Sequence, residues 1–267
     1  MSKAMLIDTT RCVGCRGCQV ACKSWNELEA GQSSFSETGS NPRHLDANNF
    51  TRVLFQEVSA PDGSFRWSFV KRQCMHCLEP SCASACPVGA LQKTAEGVVA
   101  YQDEKCIGCR YCMVACPFQV PKYEWSSRAP YVRKCTFCAD RQAIGKSPAC
   151  VSTCPTGALR FGEREELLTE AHRRIDAEPG RYQPEVYGER TVGGTGVLYL
   201  TAVAFDRMGL AEEGFRTDLG EYPFGHRGKE WMSGVPWVAA AAGGLSLGLY
   251  YLNQRRAKVE QQEGKEG

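Results

Sequence analysis

Cysteines are the residues of this chain that are best suited to chemistry, since it holds sixteen of them against four histidines. They fall into four groups of four, and each group opens with CxxC and closes with CxxxC. A proline follows the last cysteine in every group except the first, where Lys23 takes that place. This spacing decides between disulfides, zinc and iron-sulfur clusters. The groups are Cys12, Cys15, Cys18 and Cys22; Cys74, Cys77, Cys82 and Cys86; Cys106, Cys109, Cys112 and Cys116; and Cys135, Cys138, Cys150 and Cys154.

The run CIGCRYCMVACP at 106–117 is typical of iron-sulfur proteins. A CxxCxxC turn directs three thiolates to one centre, whereas in two-cluster ferredoxins the fourth cysteine binds the other cluster. Zinc uses separated CxxC pairs and has no use for a third thiolate so close. Disulfides suit small secreted scaffolds, and these cysteines crowd too closely to pair within their groups. We therefore predict four 4Fe-4S clusters that use all sixteen cysteines.

The linkers indicate which groups share their clusters. Between the second and third groups lie a turn and a short strand at 97–102, as expected when one ferredoxin-like half follows another. Pairing these two groups leaves the first and fourth to each other, and the alternative, first with second and third with fourth, stays open. The predicted ligands are Cys12, Cys15, Cys18 and Cys154 for cluster one; Cys135, Cys138, Cys150 and Cys22 for cluster two; Cys74, Cys77, Cys82 and Cys116 for cluster three; and Cys106, Cys109, Cys112 and Cys86 for cluster four.

His76 lies inside the CxxC of the second group. Its imidazole could donate a hydrogen bond to a cluster and raise the reduction potential of that cluster, although a merely packed or solvated histidine is the alternative. No other His, Ser, Asp or Glu residues form a recognisable catalytic constellation. We therefore expect that the chain catalyses nothing alone.

The rest of the chain predicts an α+β fold. Its 267 residues can bury a core without cross-links, and a net charge of +2 gives no reason to expect nucleic acid as a partner. The insertion at 24–73 should form a β-hairpin, with strands at 51–58 and 65–72, that either covers a cluster or docks a catalytic partner. We predict two nested two-cluster ferredoxin-like units at 1–160 and a helical and extended docking segment at 161–230. Within that segment we expect a helix at 162–175 and a strand at 197–205.

The carboxy-terminal part contains VPWVAAAAGGLSLGLYYL at 235–252, 18 residues without a charge. As a helix this run spans roughly 27 Å, close to the thickness of a hydrocarbon core. Trp231, Trp237, Tyr250 and Tyr251 lie near its ends, where aromatic rings favour a membrane interface. We predict a transmembrane helix at 231–253 and a charged tail at 254–267, with a buried Ala/Gly-rich helix as the alternative.

Charge and leader patterns predict where such a helix would place the chain. The amino terminus reaches its first cysteines before any apolar run of signal-peptide length, so we expect export together with a partner that carries a signal. The positive residues slightly favour a cytoplasmic tail. We therefore predict the inner membrane, with the cluster domain on the periplasmic face. Arg255, Arg256, Lys258 and Lys265 follow the predicted helix, and Arg216, Arg227 and Lys229 precede it.

Together these motifs resemble the four-cluster iron-sulfur subunits of membrane-bound respiratory oxidoreductases. The resemblance is carried by the order of the four groups, by KRQCMHCLEPSC and CIGCRYCMVACPFQVPKY, and by VGGTGVLYL followed by a terminal helix. LIDTTRCVGCRGCQVACKSWNE is similar to the beta subunit of formate dehydrogenase N. CMHC, CRYCMVACP and FGEREELLTEAHRR are at least as similar to the ferredoxin-type subunit of hydrogenase 2. The nested pairing known in this family agrees with the ligand sets above.

The resemblance implies an electron-transfer subunit. Its partners would be a catalytic formate dehydrogenase subunit with a molybdenum or tungsten pterin, and a membrane cytochrome b subunit that reduces quinone, beside which the terminal helix would pack in the lipid bilayer. An uptake hydrogenase or another molybdopterin oxidoreductase is the alternative within the family. Outside it, a membrane-tethered polyferredoxin carrier without a fixed complex stays open. A redox sensor would need an output domain, and the sequence contains no recognisable one.

Overall fold

The computed structural model describes residues 2–59, 65–128, 130–210 and 237–256. The chain forms two compact units, Met1–His226 and Arg227–Gly267, and all cysteines lie in the first. Within the described residues the strands are β1 (Lys3–Asp8), β2 (Arg52–Ser59), β3 (Phe65–Arg72), β4 (Leu91–Lys93), β5 (Val99–Tyr101), β6 (Lys122–Tyr123), β7 (Val132–Arg133), β8 (Leu159–Glu163) and β9 (Val197–Leu200). The helices are α1 (Gly17–Trp25), α2 (Ser81–Ser84), α3 (Tyr111–Ala115), α4 (Ala139–Ala143), α5 (Ala149–Ser152), α6 (Arg164–Ala177) and α7 at 237–256, with short 3-10 turns at Thr9–Arg11, Asp103–Lys105, Thr191–Gly193 and Asp206–Met208.

A three-stranded sheet forms the centre of the first unit. β1 lies in the middle, antiparallel to β8 and parallel to β9. Because side chains alternate along a strand, Ala4 and Leu6 pack with α6 on one face, while Met5 and Ile7 pack on the other. That second face belongs to the apolar core that includes Cys150, with Cys18 and Cys154 at its edge. The sheet therefore separates α6 from the cysteine-bearing loops.

Two local predictions on this sheet have different outcomes. The amphipathic helix is confirmed as α6, and Arg174 in its last turn donates from Nη1 to Oδ2 of buried Asp8 at 2.9 Å. The strand predicted at 197–205 ends at Leu200. Thr201 Oγ1 donates to the Val203 carbonyl at 2.6 Å, so the chain makes a local turn there and does not continue the sheet.

The hairpin predicted in the insertion is confirmed. β2 pairs antiparallel with β3, in register from Arg52 opposite Arg72 to Ser59 opposite Phe65. The predicted turn falls on residues 60–64, outside the described residues. The strand predicted at 97–102 is also confirmed, as β5, which pairs with β4.

The predicted transmembrane helix at 231–253 is wrong. Among the described residues, no helix combines the length and the apolar character needed to cross a bilayer. The run of Ala, Gly and Ser in α7 is only weakly hydrophobic, and the helix continues into Asn253, Gln254, Arg255 and Arg256. The inner-membrane location and its periplasmic orientation, which were inferred from that helix, are corrected with it. Residues named in those predictions that lie outside the described part of the chain are Arg216, Arg227, Lys229, Trp231, Lys258 and Lys265.

Candidate metal centres

The CxxC turns contain residues in the left-handed backbone region. In the first group these are Gly14, with φ of 66°, and Arg16, with φ of 59°; in the third they are Gly108 and Arg110, at 70° and 64°. His76 and Phe137 occupy the same region in the second and fourth groups. In the first group the resulting reversal brings Cys12, Cys15 and Cys18 to one cavity. Glycine is favoured at such positions because it has no Cβ.

The residue that follows the fourth cysteine controls the length of the adjoining helix. In the last three groups the third cysteine lies on a short helix, α2, α3 or α5, which ends before the Cys-Pro pair because proline cannot continue it. Lys23 replaces proline in the first group, and α1 continues through Cys22 to Trp25. Lys23 Nζ also donates to the carbonyls of Glu29, at 2.6 Å, and Asn48, at 2.8 Å. These bonds attach the insertion to α1.

The first and fourth groups meet around two neighbouring cavities. α1 packs against α5. One cavity is lined by Cys12, Cys15, Cys18 and Cys154. The other is lined by Cys22, Cys135, Cys138 and Cys150. Each cavity thus holds the four thiols of one predicted ligand set.

The second and third groups meet in the same way, since α2 packs against α3. Burial, followed by the nearby Cys109, Cys86 and Cys106, raises the pKa of the Cys112 thiol to about 12. Cys86 therefore lies with the thiols of the third group.

The crossing cysteine of the third group has the reciprocal position. Burial raises the pKa of Cys82, and the next largest causes are the neighbouring Cys74 and Cys116. The pKa of Cys77 is likewise raised, first by burial and then by Cys74, Cys116 and Cys82. Cys116 thus lies with the thiols of the second group. The structure brings the members of all four predicted sets together, and their role as ligands stays a prediction.

The four sets are neighbours in series. Lys71 lines both cavities of the first two sets. Cys22 and Cys135 of set two pack in one apolar cluster with Cys74 of set three. Cys82 of set three and Cys112 of set four pack in another. The order along the molecule is therefore one, two, three, four.

Burial varies along this series. All four cysteines of set two are buried, namely Cys22, Cys135, Cys138 and Cys150. In set one no cysteine is fully buried and Cys15 is exposed, and in set four only Cys112 is buried. The two ends of the series lie nearest the surface.

Sequence reasoning missed a repeated arginine contact at these two ends. Arg16 lies over the ring of Phe55 at 4.5 Å, and Arg110 lies over Tyr123 at 5.4 Å. Each arginine follows the second cysteine of its group, and each aromatic ring belongs to a neighbouring antiparallel strand pair. Aligning CVGCRGCQVAC with CIGCRYCMVAC would have revealed the equivalent arginines, but not their distant partners.

Three lysines near the thiols, of which Lys71 and Lys134 are buried and Lys93 is half-buried, were also missed. Lys93 Nζ donates to the carbonyls of His76, Cys77 and Gly97, at 3.1, 2.8 and 2.8 Å. Lys134 Nζ donates to the carbonyls of Val99 and Cys135. The third cation, Lys71, is 2% exposed. Its place at the end of an amphipathic strand predicts a solvated side chain, so the sequence offered no signal.

His76 is fully buried and stacks on Phe137, with ring centroids 4.4 Å apart. Burial, followed by the charges of Lys134, Lys93 and Lys71, holds the pKa of this imidazole well below its usual range. The Val99 N–H donates to Nδ1 at 3.1 Å, so the proton of the neutral ring lies on Nε2. Nε2 has no hydrogen-bond partner among the described residues. The solvated alternative is thereby excluded, and an unused donor remains beside the second group.

The donor sets fit iron-sulfur clusters by their chemistry. Each consists of four soft sulfur ligands, as such clusters require, and sets one and two each line a cavity. Within the described ranges, no three His, Cys, Asp or Glu side chains converge closely enough for a single metal ion. A four-iron cluster does not need that convergence, because each thiolate binds a different iron.

Comparison with known proteins agrees with this chemistry. Two family models, both described as a 4Fe-4S dicluster domain, match residues 11–90 and 65–164. The nitrate-inducible formate dehydrogenase iron-sulfur subunit of Escherichia coli K12 is 42% identical over 200 residues, 74% of this chain and 67% of that protein. The hydrogenase-2 operon protein HybA of E. coli O157:H7 is 38% identical over 239 residues, 78% of this chain and 73% of that protein. A protein of Nitratidesulfovibrio vulgaris is 42% identical over 265 residues, 98% of this chain and 70% of its own length.

Gly14→Ala tests the close contact between the insertion and the first CxxC turn. A Cβ at Gly14 would lie 2.8 Å from two ring carbons of Phe69, at a φ that already disfavours alanine. We expect the free energy of unfolding to fall by about 3 kcal/mol, from strain plus overpacking. Anaerobic thermal unfolding measures the loss.

Gly180→Ala is the matched control. Its φ is 84° and a Cβ there meets nothing within 4 Å, so only the backbone strain of about 1 kcal/mol remains. Equal losses of unfolding free energy in the two variants would contradict the close packing of Phe69 against the turn at Gly14.

Proposed function

Since this chain belongs to the 4Fe-4S dicluster family of iron-sulfur electron-transfer subunits, we propose that it carries electrons from a catalytic formate dehydrogenase subunit to a cytochrome b subunit that reduces quinone. The donor subunit would hold a molybdenum or tungsten pterin. The two dicluster domains give four 4Fe-4S clusters, for which sixteen cysteines are present. When bound, each cluster supplies one-electron redox chemistry.

We assign the cysteines to clusters one to four by the sets predicted from the sequence. The two cavities of the first and fourth groups support sets one and two, because each cavity is lined by all four members of one set. The effect of Cys86 on the pKa of Cys112, and that of Cys116 on the pKa of Cys82, support sets four and three. In this assignment Cys154, Cys22, Cys116 and Cys86 are the cysteines that cross to the partner group.

The observation that carries the proposal is the burial pattern along the series. Set two is fully buried, whereas sets one and four approach the surface. Exposed apolar side chains flank both end sets: Val13 and Val20 at one end, and Ile107 and Val114 at the other, between 57 and 81% exposed. Buried middle ligands and accessible ends suit a conductor between two bound partners. A diffusing carrier needs only one accessible end.

Formate dehydrogenase is preferred to a hydrogenase as the catalytic partner. One supporting observation is the similarity of the 22-residue stretch LIDTTRCVGCRGCQVACKSWNE to the formate dehydrogenase type. The other is the identity, which is 42% to the formate dehydrogenase subunit and 38% to HybA. The hydrogenase type is the second candidate, and the reduction experiment below separates the two.

His76 is assigned a tuning role. Its unused Nε2–H is a donor that can stabilise the extra negative charge of a reduced cluster held by the second group.

Cys154→Ser tests the ligand sets. Because serine replaces a thiolate of cluster one, iron should fall from about 16 to about 12 atoms per chain, and one cluster signal should disappear from the electron paramagnetic resonance spectrum. Cys12→Ser should remove the same signal. Ser152→Ala, on the adjoining helix, should remove none. Loss of two different signals from the two cysteine variants would refute the pairing of the first with the fourth group.

Reduction by substrate tests the catalytic partner. The complex is purified anaerobically from its native source, and its clusters are exposed separately to formate and to hydrogen. We expect formate to bleach the visible cluster absorption and hydrogen to leave it unchanged. Reduction by hydrogen alone would assign the chain to the hydrogenase type, and a cluster protein without a large subunit would support the free carrier.

His76→Phe tests the tuning role. Phe137 holds the equivalent CxxC position at a similar φ, so phenylalanine is compatible with this backbone. Loss of a hydrogen bond worth about 1 kcal/mol should lower one midpoint potential by about 40 mV, as measured by redox titration. His172→Phe, at an exposed position of α6, is the control. Four unchanged potentials in His76→Phe would exclude tuning.

A further inference from the structure

Lys71 is a buried cation between two cysteine cavities. It lies on β3, and its side chain lines the cavity of Cys12, Cys15, Cys18 and Cys154 as well as that of Cys22, Cys135, Cys138 and Cys150. Only 2% of the residue is exposed. Its ammonium has no hydrogen-bond acceptor within the part of the chain that the structure describes. A buried charge without a partner is costly, so its position calls for a compensating negative group.

Two other lysines near the thiols, half-buried Lys93 and buried Lys134, do not share this property. Lys93 uses its ammonium on three backbone carbonyls, and Lys134 uses its own on two. Those two side chains stabilise the backbone around the second group through these hydrogen bonds. Lys71, by contrast, has no such acceptor among the described residues and lines the two sulfur-containing cavities.

The backbone of Lys71 is held from two sides. Its residue pairs with Val53 across the hairpin, and its carbonyl accepts a hydrogen bond of 2.8 Å from the hydroxyl of fully buried Tyr199. Tyr199 belongs to β9 of the central sheet. The backbone from which the ammonium extends is therefore held by the hairpin and by the central sheet.

The groups that face this ammonium are thiols from both cavities. Burial alone would lower the pKa of Lys71, but the negative charges of Cys150, Cys18, Cys135 and Cys22 outweigh it and raise the pKa. Cys18 belongs to set one, and the other three belong to set two. In return, Lys71 opposes the burial that raises the pKa of Cys18 to about 11 and that of Cys22 to about 12. A lysine ammonium carries a positive charge at neutral pH, and the position of Lys71 in the lining of both cavities places that charge beside both sets.

We propose that Lys71 is a shared counter-charge that sets the reduction potentials of clusters one and two together. Reduction adds one negative charge to a cluster, and a fixed cation in a region of low dielectric stabilises that charge. Because Lys71 lines both cavities, it raises both potentials at once. This proposal rests on the assigned ligand sets of clusters one and two, and it does not depend on which catalytic partner donates the electrons.

Lys71→Met tests this role in the full chain with its clusters. Methionine is unbranched, is one atom shorter than lysine and removes the charge. The four midpoint potentials are measured by dithionite titration followed by paramagnetic resonance, with signals one and two assigned in Cys154→Ser and Cys22→Ser. We expect the ratio of reduced to oxidised cluster, for clusters one and two at a fixed potential, to fall about tenfold, which corresponds to about 59 mV for each. Clusters three and four should shift less.

Two further variants separate charge from packing. Lys71→Arg keeps the charge and should keep both potentials near those of the parent. Lys105→Met removes an exposed lysine next to Cys106 and should leave all four potentials unchanged, because water and salt screen that charge.

Unchanged potentials in Lys71→Met, or a shift of only one cluster, overturn the proposal. If Lys71→Met fails to bind iron while Lys71→Arg binds it with parental potentials, the requirement is for the charge, and the proposal stands. If both variants fail to bind iron, the role is packing and the proposal is overturned. Dithionite reduces the clusters without a catalytic partner. These outcomes therefore do not depend on whether formate reduces the complex.

Discussion

The antiparallel pairing of β1 with β8 is the interaction on which the cysteine arrangement depends. β1 ends at Asp8, just before Cys12, and β8 begins at Leu159, just after Cys154. Because Ile7 lies opposite Leu159, the first and last cysteine groups emerge at the same end of the sheet. The β4–β5 pair does the same for the inner groups, since it connects the segment after Cys86 with the segment before Cys106. The β1–β8 pairing meets the entropic cost of closing a long loop through backbone hydrogen bonds, so the thiols do not have to supply it alone, whereas β4 and β5 close only a short one.

The insertion completes the first of these arrangements. Side chains two residues apart on a strand share a face, and on β3 the face that carries Phe69 also carries Lys71. Phe69 covers the turn at Gly14, while Lys71 extends between the cavities beneath it. Gln19 on α1 accepts a hydrogen bond of 2.6 Å from the Val53 N–H, which fixes the hairpin against the cysteine helix. One strand therefore supplies both a water-excluding ring and a compensating charge to neighbouring thiols.

The sequence was most informative where chemistry requires a fixed spacing. The four cysteine groups, the hairpin, β5 and α6 could be predicted because their patterns are local. The position of Lys71 could not be predicted. A lysine near the end of an amphipathic strand has the same sequence pattern whether its side chain meets water or a sulfur-lined cavity. The stacking of His76 on Phe137 likewise depends on two groups that are distant in the chain. The transmembrane prediction failed for another reason: it relied on the absence of charge, whereas bilayer insertion requires strongly apolar side chains that Ala and Gly do not provide.

Burial and charge compensation follow the same course through the molecule. Removing thiolates from water disfavours their negative charge, and the penalty is greatest for set two and its neighbour, set three. Lysines lie near these sets: buried Lys71, which also lines the cavity of set one, acts on Cys22 and Cys135, buried Lys134 acts on Cys82, and half-buried Lys93 acts on Cys77. Set four, nearer the surface, has water to stabilise its charge. Under the proposed ligand assignment, removing these lysines would make the clusters of sets two and three harder to reduce, because no water is there to offset the added charge. Charge compensation inside the molecule is thus the condition that the proposed electron path places on its buried middle.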